Sequence, residues 1–171
     1  MGFSFPTSDN IDEGFTFGCK LDTDAYRENR QRYPNVCYKY LQMDGRYGFD
    51  QPEWNTRDAV AYFDSMCTLA NMPIRDFDYL DKQEWHFNPS KVYKGQNLYA
   101  ALEPIFGEKL LNTPEKLPPF YHFALYQDEG VMADRSSGCK SPRIYFFIGD
   151  NATLYPMFYD PYHEINPMSE E

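Results

Sequence analysis

Two aromatic segments near the C-terminus, separated by four turn-forming residues, constrain the fold of this chain more than any other feature. The first spans residues 143–148, the second spans residues 153–159, and Gly149-Asp150-Asn151-Ala152 lies between them. Tyrosine, phenylalanine and isoleucine favour strands, and a short loop of turn residues between two such segments is typical of a hairpin. The sequence therefore predicts an antiparallel hairpin at this end of the chain.

The middle of the chain predicts helices. One begins near Asn55, and Asp58, three residues later, completes a capping arrangement. Its predicted apolar face is formed by Ala59, Val60, Phe63, Met66, Cys67 and Ala70. A second apolar helix opens at Asn97 and contains Pro104, which is expected to bend or shorten it. These helices supply the layer on which a sheet can pack.

The remaining segments complete an α+β prediction. Residues 120–126 are apolar on both faces, as in a buried strand. In residues 15–19, apolar side chains alternate with small or polar ones, as in a half-buried strand. Residues 25–33 are predicted to form a short helix, with acidic residues just before it and basic residues at its end. We expect residues 1–171 to form a single domain, in which an antiparallel β-meander ending in the C-terminal hairpin packs against helices from the middle of the chain.

Composition limits the class of protein. The chain has 26 acidic and 16 basic side chains, a formal charge of −10, and 18% aromatic residues, enough to build one core. No apolar run reaches the length of a membrane span, and the first residues lack the basic and apolar parts of an export signal. We therefore expect a cytoplasmic protein with no membrane contact and with reduced, widely spaced cysteines.

The end of the hairpin resembles a known group of proteins. An arginine-led strand at Arg143, a short turn, an aromatic strand and a closing Asp160-Pro161-Tyr162-His163 follow one another. This pattern resembles small uncharacterised proteins of bacterial mobile elements and phages, and residues 85–89 are similar more weakly. The order of helices followed by aromatic strands also resembles the architecture of RelE-type ribonuclease toxins. The first resemblance implies a role in defence, counter-defence or toxin control.

The candidate catalytic residues are Asp160, His163 and His86. Asp160 and His163 lie three residues apart just beyond a strand, where the carboxylate could orient the imidazole as a general base. The alternative is structural: an aspartate before proline commonly accepts backbone N–H groups of its own turn. His86 and His122 lack short metal-ligand spacing with His163. The sequence predicts no metal site and no cofactor.

Two segments are candidates for partner binding. The polar connection over residues 127–141 is expected to be mobile, and Val131, Met132 and Arg135 in it could contact a partner's apolar pocket. Arg27, Arg30 and Tyr33 belong to a basic and aromatic stretch of a kind that suits single-stranded nucleic acid. The alternative for that stretch is a solvated helix face with tyrosines packed beneath it.

The leading functional hypothesis from the sequence is a non-catalytic interaction module that binds a protein partner in a bacterial or phage defence, counter-defence or toxin-control system. The acidic charge disfavours nucleic acid as the partner, because such binding depends on cationic side chains. The alternative is a small nuclease or other hydrolase, either RelE-like or dependent on the histidine and aspartate. The sequence leaves the oligomeric state open.

Overall fold

A five-stranded sheet with a helix against each face organises the chain. The structure is a computed structural model that describes residues 32–80, 85–126 and 133–166. The strands are β1 (Asn35–Val36), β2 (Asn88–Ser90), β3 (Phe120–Ala124), β4 (Arg143–Gly149) and β5 (Thr153–Asp160). The α-helices are α1 (Thr56–Ala70), α2 (Asn97–Phe106) and α3 (Glu108–Leu111), and short 3-10 helices span Ile74–Tyr79, Pro114–Lys116 and Asp150–Ala152.

The sheet is mixed but mostly antiparallel, so the α+β prediction is confirmed. Its strand order is β1-β5-β4-β3-β2; β2 to β5 pair antiparallel in sequence order, and β1 pairs parallel with β5 at the far edge. The predicted hairpin is present as β4 and β5, with Arg143 opposite Asp160 and Gly149 opposite Thr153. A register shift between Tyr145 and Phe146 interrupts the pairing.

Both faces of the sheet carry apolar core residues, because helices cover both. On β4, Ile144 and Phe146 belong to the core that includes the buried residues of α1, whereas Tyr145 and Phe147 belong to the core that includes α2. The α1 layer is held by Tyr62, Met66 and Leu69, and the α2 layer by Leu98, Tyr99 and Leu102. None of the helices in the described ranges is long and apolar enough to cross a membrane.

The start of α1 follows its prediction, but most of the predicted apolar face is wrong: of its six residues only Met66 is buried. The Asn55 side chain accepts from the backbone N–H of Asp58, and the Asp58 carboxylate accepts from the backbone N–H of Asn55, which is a complete capping box. Val60 and Phe63 are exposed, at 57% and 59%. The buried face is instead formed by Asp58, Tyr62, Met66 and Leu69. The reason is a polar network around Asp58 that the spacing of apolar residues does not reveal.

Residues 133–141 are tied to the rest of the fold. Asp134 pairs with Cys139 in a β-bridge, and its carboxylate accepts hydrogen bonds from the backbone and hydroxyl of Ser136. Lys140 donates to Asp58 on α1. These contacts join the second half of the connection to the fold, and its mobility stays a prediction. Several predicted features lie outside the described residues: the strand over 15–19, most of the helix over 25–33, and Arg27, Arg30, Val131 and Met132.

Candidate functional site

The α2 face of the sheet changes from apolar to polar along its strands. Phe120 on β3 and Phe147 on β4 lie in the core that includes α2. The next residues on this face are His122, two positions after Phe120, and Tyr145, two positions before Phe147. Arg143 follows on the same face, at the start of β4. His122 and Arg143 are 7% and 2% exposed. Buried polar side chains at one end of a sheet face need partners, and these partners come from three other segments.

His122 is held from two sides. Its Nδ1 lies 2.7 Å from Oγ of Ser90 on β2, and its ring stacks on Tyr145 with centroids 5.1 Å apart. Burial, together with the nearby His163, Arg143 and His86, lowers the pKa of His122 to about 3. The imidazole is therefore neutral at neutral pH.

His163 reaches the same place from the segment that follows β5. Its ring centroid lies 5.9 Å from that of His122, and its backbone adopts a left-handed φ of 55°. Burial, with Arg143 and His86 nearby, lowers the pKa of His163 to about 4. Unlike His122, His163 is only partly buried.

Asp160 shapes the turn that carries His163. It is fully buried, and its two carboxylate oxygens accept backbone N–H bonds from Tyr162 and Ile165, the latter at 2.7 Å. Among the described residues, no hydrogen bond joins Asp160 to His163. Burial raises the pKa of Asp160. The carboxylate thus fixes the backbone around the imidazole, as in the structural alternative drawn from the sequence.

A second set of contacts clamps the same turn. The Glu164 carboxylate accepts hydrogen bonds from Arg46 and from Arg135, each at 3.0 Å, and the Glu164 carbonyl accepts from the side chain of Asn97 on α2. Ile165 is buried among the residues of the α2 core. Residues 160–165 are therefore anchored on both sides of His163.

His86 approaches from the segment before β2. The carbonyl of Trp85 accepts a hydrogen bond from the backbone of Ala124, and His86 then takes a left-handed φ of 44°. A non-glycine residue in this region costs conformational energy that surrounding contacts must offset. His86 contributes to the lowered pKa of both His122 and His163. All three histidines of the chain are therefore grouped at one end of the sheet.

Arg143 lies two residues before Tyr145 on the same face of β4, opposite Ala124 on β3. Its Nη1 donates to the hydroxyl and carbonyl of Ser141, at 2.9 and 3.0 Å, and to the carbonyl of Pro142. Its Nε is buried with no hydrogen-bond partner among the described residues. An arginine stays protonated in proteins, and this positive charge lowers the pKa of His122 and of His163. We call His86, His122, Arg143 and His163 the histidine-arginine cluster.

The structure brings the three predicted catalytic residues, His86, Asp160 and His163, to the same end of the sheet. The sequence reasoning did not select Ser90, His122 or Arg143 as site residues, although they complete the site. The register of β2, β3 and β4 would have been needed to find them. No group of three or more histidine, cysteine or acidic side chains in the described ranges is arranged to hold a metal ion.

Among the predicted partner-binding residues, two are described. Tyr33 is 61% exposed, consistent with a surface role. Arg135 is engaged within the fold: it donates to Glu164, pairs with Glu53 at 3.7 Å and stacks over Tyr162. Its guanidinium is thus already committed to internal contacts.

Comparison with known proteins gives no name for this arrangement. No family model, no curated protein and no solved structure matches the chain. The resemblances drawn from the hairpin therefore remain predictions, and the function is argued from the geometry of the site.

Proposed function

We propose that this chain is a small hydrolase whose histidine-arginine cluster performs the chemistry. One observation carries the proposal: the three histidines of the chain, from positions 86, 122 and 163, are grouped at the end of the sheet that holds the buried Arg143, whose Nε has no hydrogen-bond partner among the described residues. Neutral imidazoles beside a fixed positive charge are groups that can move a proton and stabilise developing negative charge.

His163 is the proposed general base. Its ring is partly accessible and neutral, so it can accept a proton from a water molecule as the water oxygen attacks the substrate. Arg143 supplies the positive charge that stabilises the negative charge developing on the substrate. The protonated His163 then gives its proton to the leaving group, so that one water molecule is consumed and the imidazole returns to its neutral form. His122 lies beside it and extends the same surface.

The anchoring of the turn supports a site rather than an incidental grouping. The Asp160 carboxylate, the two arginines on Glu164 and the buried Ile165 hold the backbone on both sides of His163. Catalytic side chains need such support, because small displacements of a reacting group reduce rates strongly. The left-handed backbone at His86 and His163 is a second supporting feature, since non-glycine residues in this conformation often occur at functional sites.

A non-catalytic interaction module, the leading hypothesis from the sequence, gains less support. Of the partner-binding residues predicted for the connection over 127–141, the described one, Arg135, is occupied by Glu164 and Glu53. The hydrolase alternative therefore accounts for more of the observed geometry.

The test is hydrolysis of chromogenic esters by the purified full chain. The panel contains p-nitrophenyl phosphate, bis(p-nitrophenyl) phosphate and p-nitrophenyl acetate. We expect turnover of at least one ester, reduced about 100-fold or more by His163→Asn. Asparagine is the chosen replacement because it tolerates the left-handed backbone of position 163.

Lys94→Met is the matched control, because Lys94 forms an exposed ion pair with Glu108, away from the described contacts of the cluster. Its turnover should equal that of the wild type. Lack of turnover by the wild type on the whole panel, or full activity in a folded His163→Asn variant, would contradict the proposed function.

A further inference from the structure

The Nε of Arg143 is a buried donor without a hydrogen-bond partner among the described residues. No carboxylate of the described residues lies within ion-pair distance of its guanidinium. The acidic residue opposite it in the sheet is Asp160, whose oxygens accept backbone N–H groups and whose negative charge acts to raise the pKa of Arg143, so it offsets part of the cost of burying the guanidinium. A buried cation with an unused donor is costly unless something compensates for it.

The donors around Arg143 suit an anion. When the Ser90 hydroxyl donates to Nδ1 of His122, the ring proton of His122 resides on Nε2, which is then a donor. His163 and His86 add partly accessible imidazoles. A neutral imidazole offers one N–H group, and the guanidinium adds a charged donor, a combination that binds phosphate oxygens well.

We propose that the histidine-arginine cluster binds the phosphate group of a small substrate, with Arg143 as its charge partner and His122 and His163 as its hydrogen-bond donors. This inference rests on the proposed hydrolase and names its substrate class, a phosphate ester. His86 and His163 are the two partly exposed members of the cluster.

The overall charge of the chain selects the size of the substrate. A net charge of −10 repels a long polyanion, whose binding requires many cationic contacts. Within the described residues, the two other arginines near the site, Arg46 and Arg135, are paired with Glu164. One phosphate group needs only the local positive charge of Arg143. A small phosphorylated molecule therefore fits better than RNA or DNA.

Bound phosphate would also change the proton affinity of the imidazoles. Arg143 is among the causes that lower the pKa of His122 and of His163. A phosphate dianion near the guanidinium would offset that effect and favour the protonated rings. The groups that face His122 are Ser90 from β2, Tyr145 and Arg143 from β4, and His86 and His163 from the flanking segments. Asp160 faces the site from β5. Substrate binding would thus bring the imidazoles closer to the range in which they exchange protons.

The test uses inorganic phosphate as the probe and the wild-type full chain. The imidazole Hε1 resonances are followed by NMR during a phosphate titration at constant ionic strength, with sodium chloride as the reference salt. Variants His86→Asn, His122→Gln and His163→Asn assign the three signals. We expect saturable shifts of the His122 and His163 signals, and pKa values raised by about one unit or more at saturating phosphate.

Variants of Arg143 identify the charge partner. Arg143→Met should weaken phosphate binding about tenfold or more, whereas Arg75→Met, at an exposed arginine beside Asp76, should bind as the wild type does. If Arg143→Met does not fold, the wild-type titration decides alone. Signals that respond to phosphate no more than to chloride, or an unchanged affinity in folded Arg143→Met, would overturn the inference.

The two proposals fail in different ways. Phosphate binding without turnover of any phosphate ester would support the binding site and contradict the hydrolase. Turnover of p-nitrophenyl acetate alone, with no response to phosphate, would support the hydrolase and overturn the assigned substrate class.

Discussion

The ammonium of Lys140 lies 2.5 Å from Oδ2 of Asp58, although 82 residues separate them in the chain. Asp58 is fully buried, and Tyr126 and Tyr159 also donate to its carboxylate, at 2.6 and 3.1 Å. Lys140 further donates to the carbonyl of Glu53. This network joins the start of α1 to the segment before β4, which leads directly into Arg143.

The first prediction concerns this buried pair. Lys140→Met removes the cation and leaves the Asp58 carboxylate buried with a missing partner, which should lower the free energy of unfolding by about 3–5 kcal/mol. Urea denaturation followed by circular dichroism measures the change. Lys94→Met, which breaks the exposed pair with Glu108, is the control and should cause no measurable change. Equal effects of the two substitutions would contradict a structural role for the buried pair.

The second prediction is a loss of stability in mild acid caused by His122. Its pKa is lowered from the ordinary 6.5 to about 3, chiefly by burial. The native state therefore excludes a proton that the unfolded state binds, so this contribution is complete above pH 6.5 and is lost as the pH falls toward the native pKa. By pH 4 the loss from this residue is about 3 kcal/mol. Denaturation curves at several pH values measure it.

His122→Gln tests the origin of that acid sensitivity. Glutamine can still accept a hydrogen bond from Ser90 but does not titrate. The stability difference between pH 7 and pH 4 should therefore be smaller in this variant than in the wild type. An identical pH dependence in the two proteins would show that His122 is already free to protonate in the native state.

The third prediction concerns the clamp on His163. Glu164→Gln weakens the charged contacts with Arg46 and Arg135, which lie at the surface, so we expect little change in melting temperature. The backbone amide of His163 should nevertheless exchange faster with deuterium, and ester turnover should fall. Glu108→Gln is the matched control at another surface ion pair. Unchanged exchange at His163 would show that Asp160 and Ile165 hold the turn without Glu164.

The fourth prediction tests the turn that presents Arg46 and Tyr47. A Cβ atom on Gly48 would collide with the backbone carbonyl oxygens of Met43 and Asp44. Gly48→Ala should therefore destabilise the fold by about 2–3 kcal/mol, because backbone atoms must move. At Gly149 the added Cβ would instead meet a ring atom of Tyr155 at 2.7 Å, which is side chain rather than backbone. Gly149→Ala should cost less, and thermal unfolding of the two variants compares them directly.

Local chemistry was sufficient to predict several elements from the sequence. The hairpin of β4 and β5 follows from two strand-forming segments around a turn. The beginning of α1 follows from Asn55 and Asp58, which satisfy free backbone donors within one helical turn. The bonds of Asp160 to its own turn were the structural alternative, and they too depend on residues close in sequence.

The buried face of α1 and the grouping of the histidines were decided only by the tertiary structure. Asp58 and Tyr62 face the core because Lys140, Tyr126 and Tyr159 come from distant segments to satisfy the Asp58 carboxylate. A prediction based on the spacing of apolar residues treats such an aspartate as a surface group and therefore assigns the wrong face of the helix to the core. The three histidines are grouped because strand pairing sets β2 beside β3 and brings the end of β5 beside the start of β4. Strand pairing joins residues far apart in the chain, so periodicity within one strand shows which side chains share a face but not which strands become neighbours.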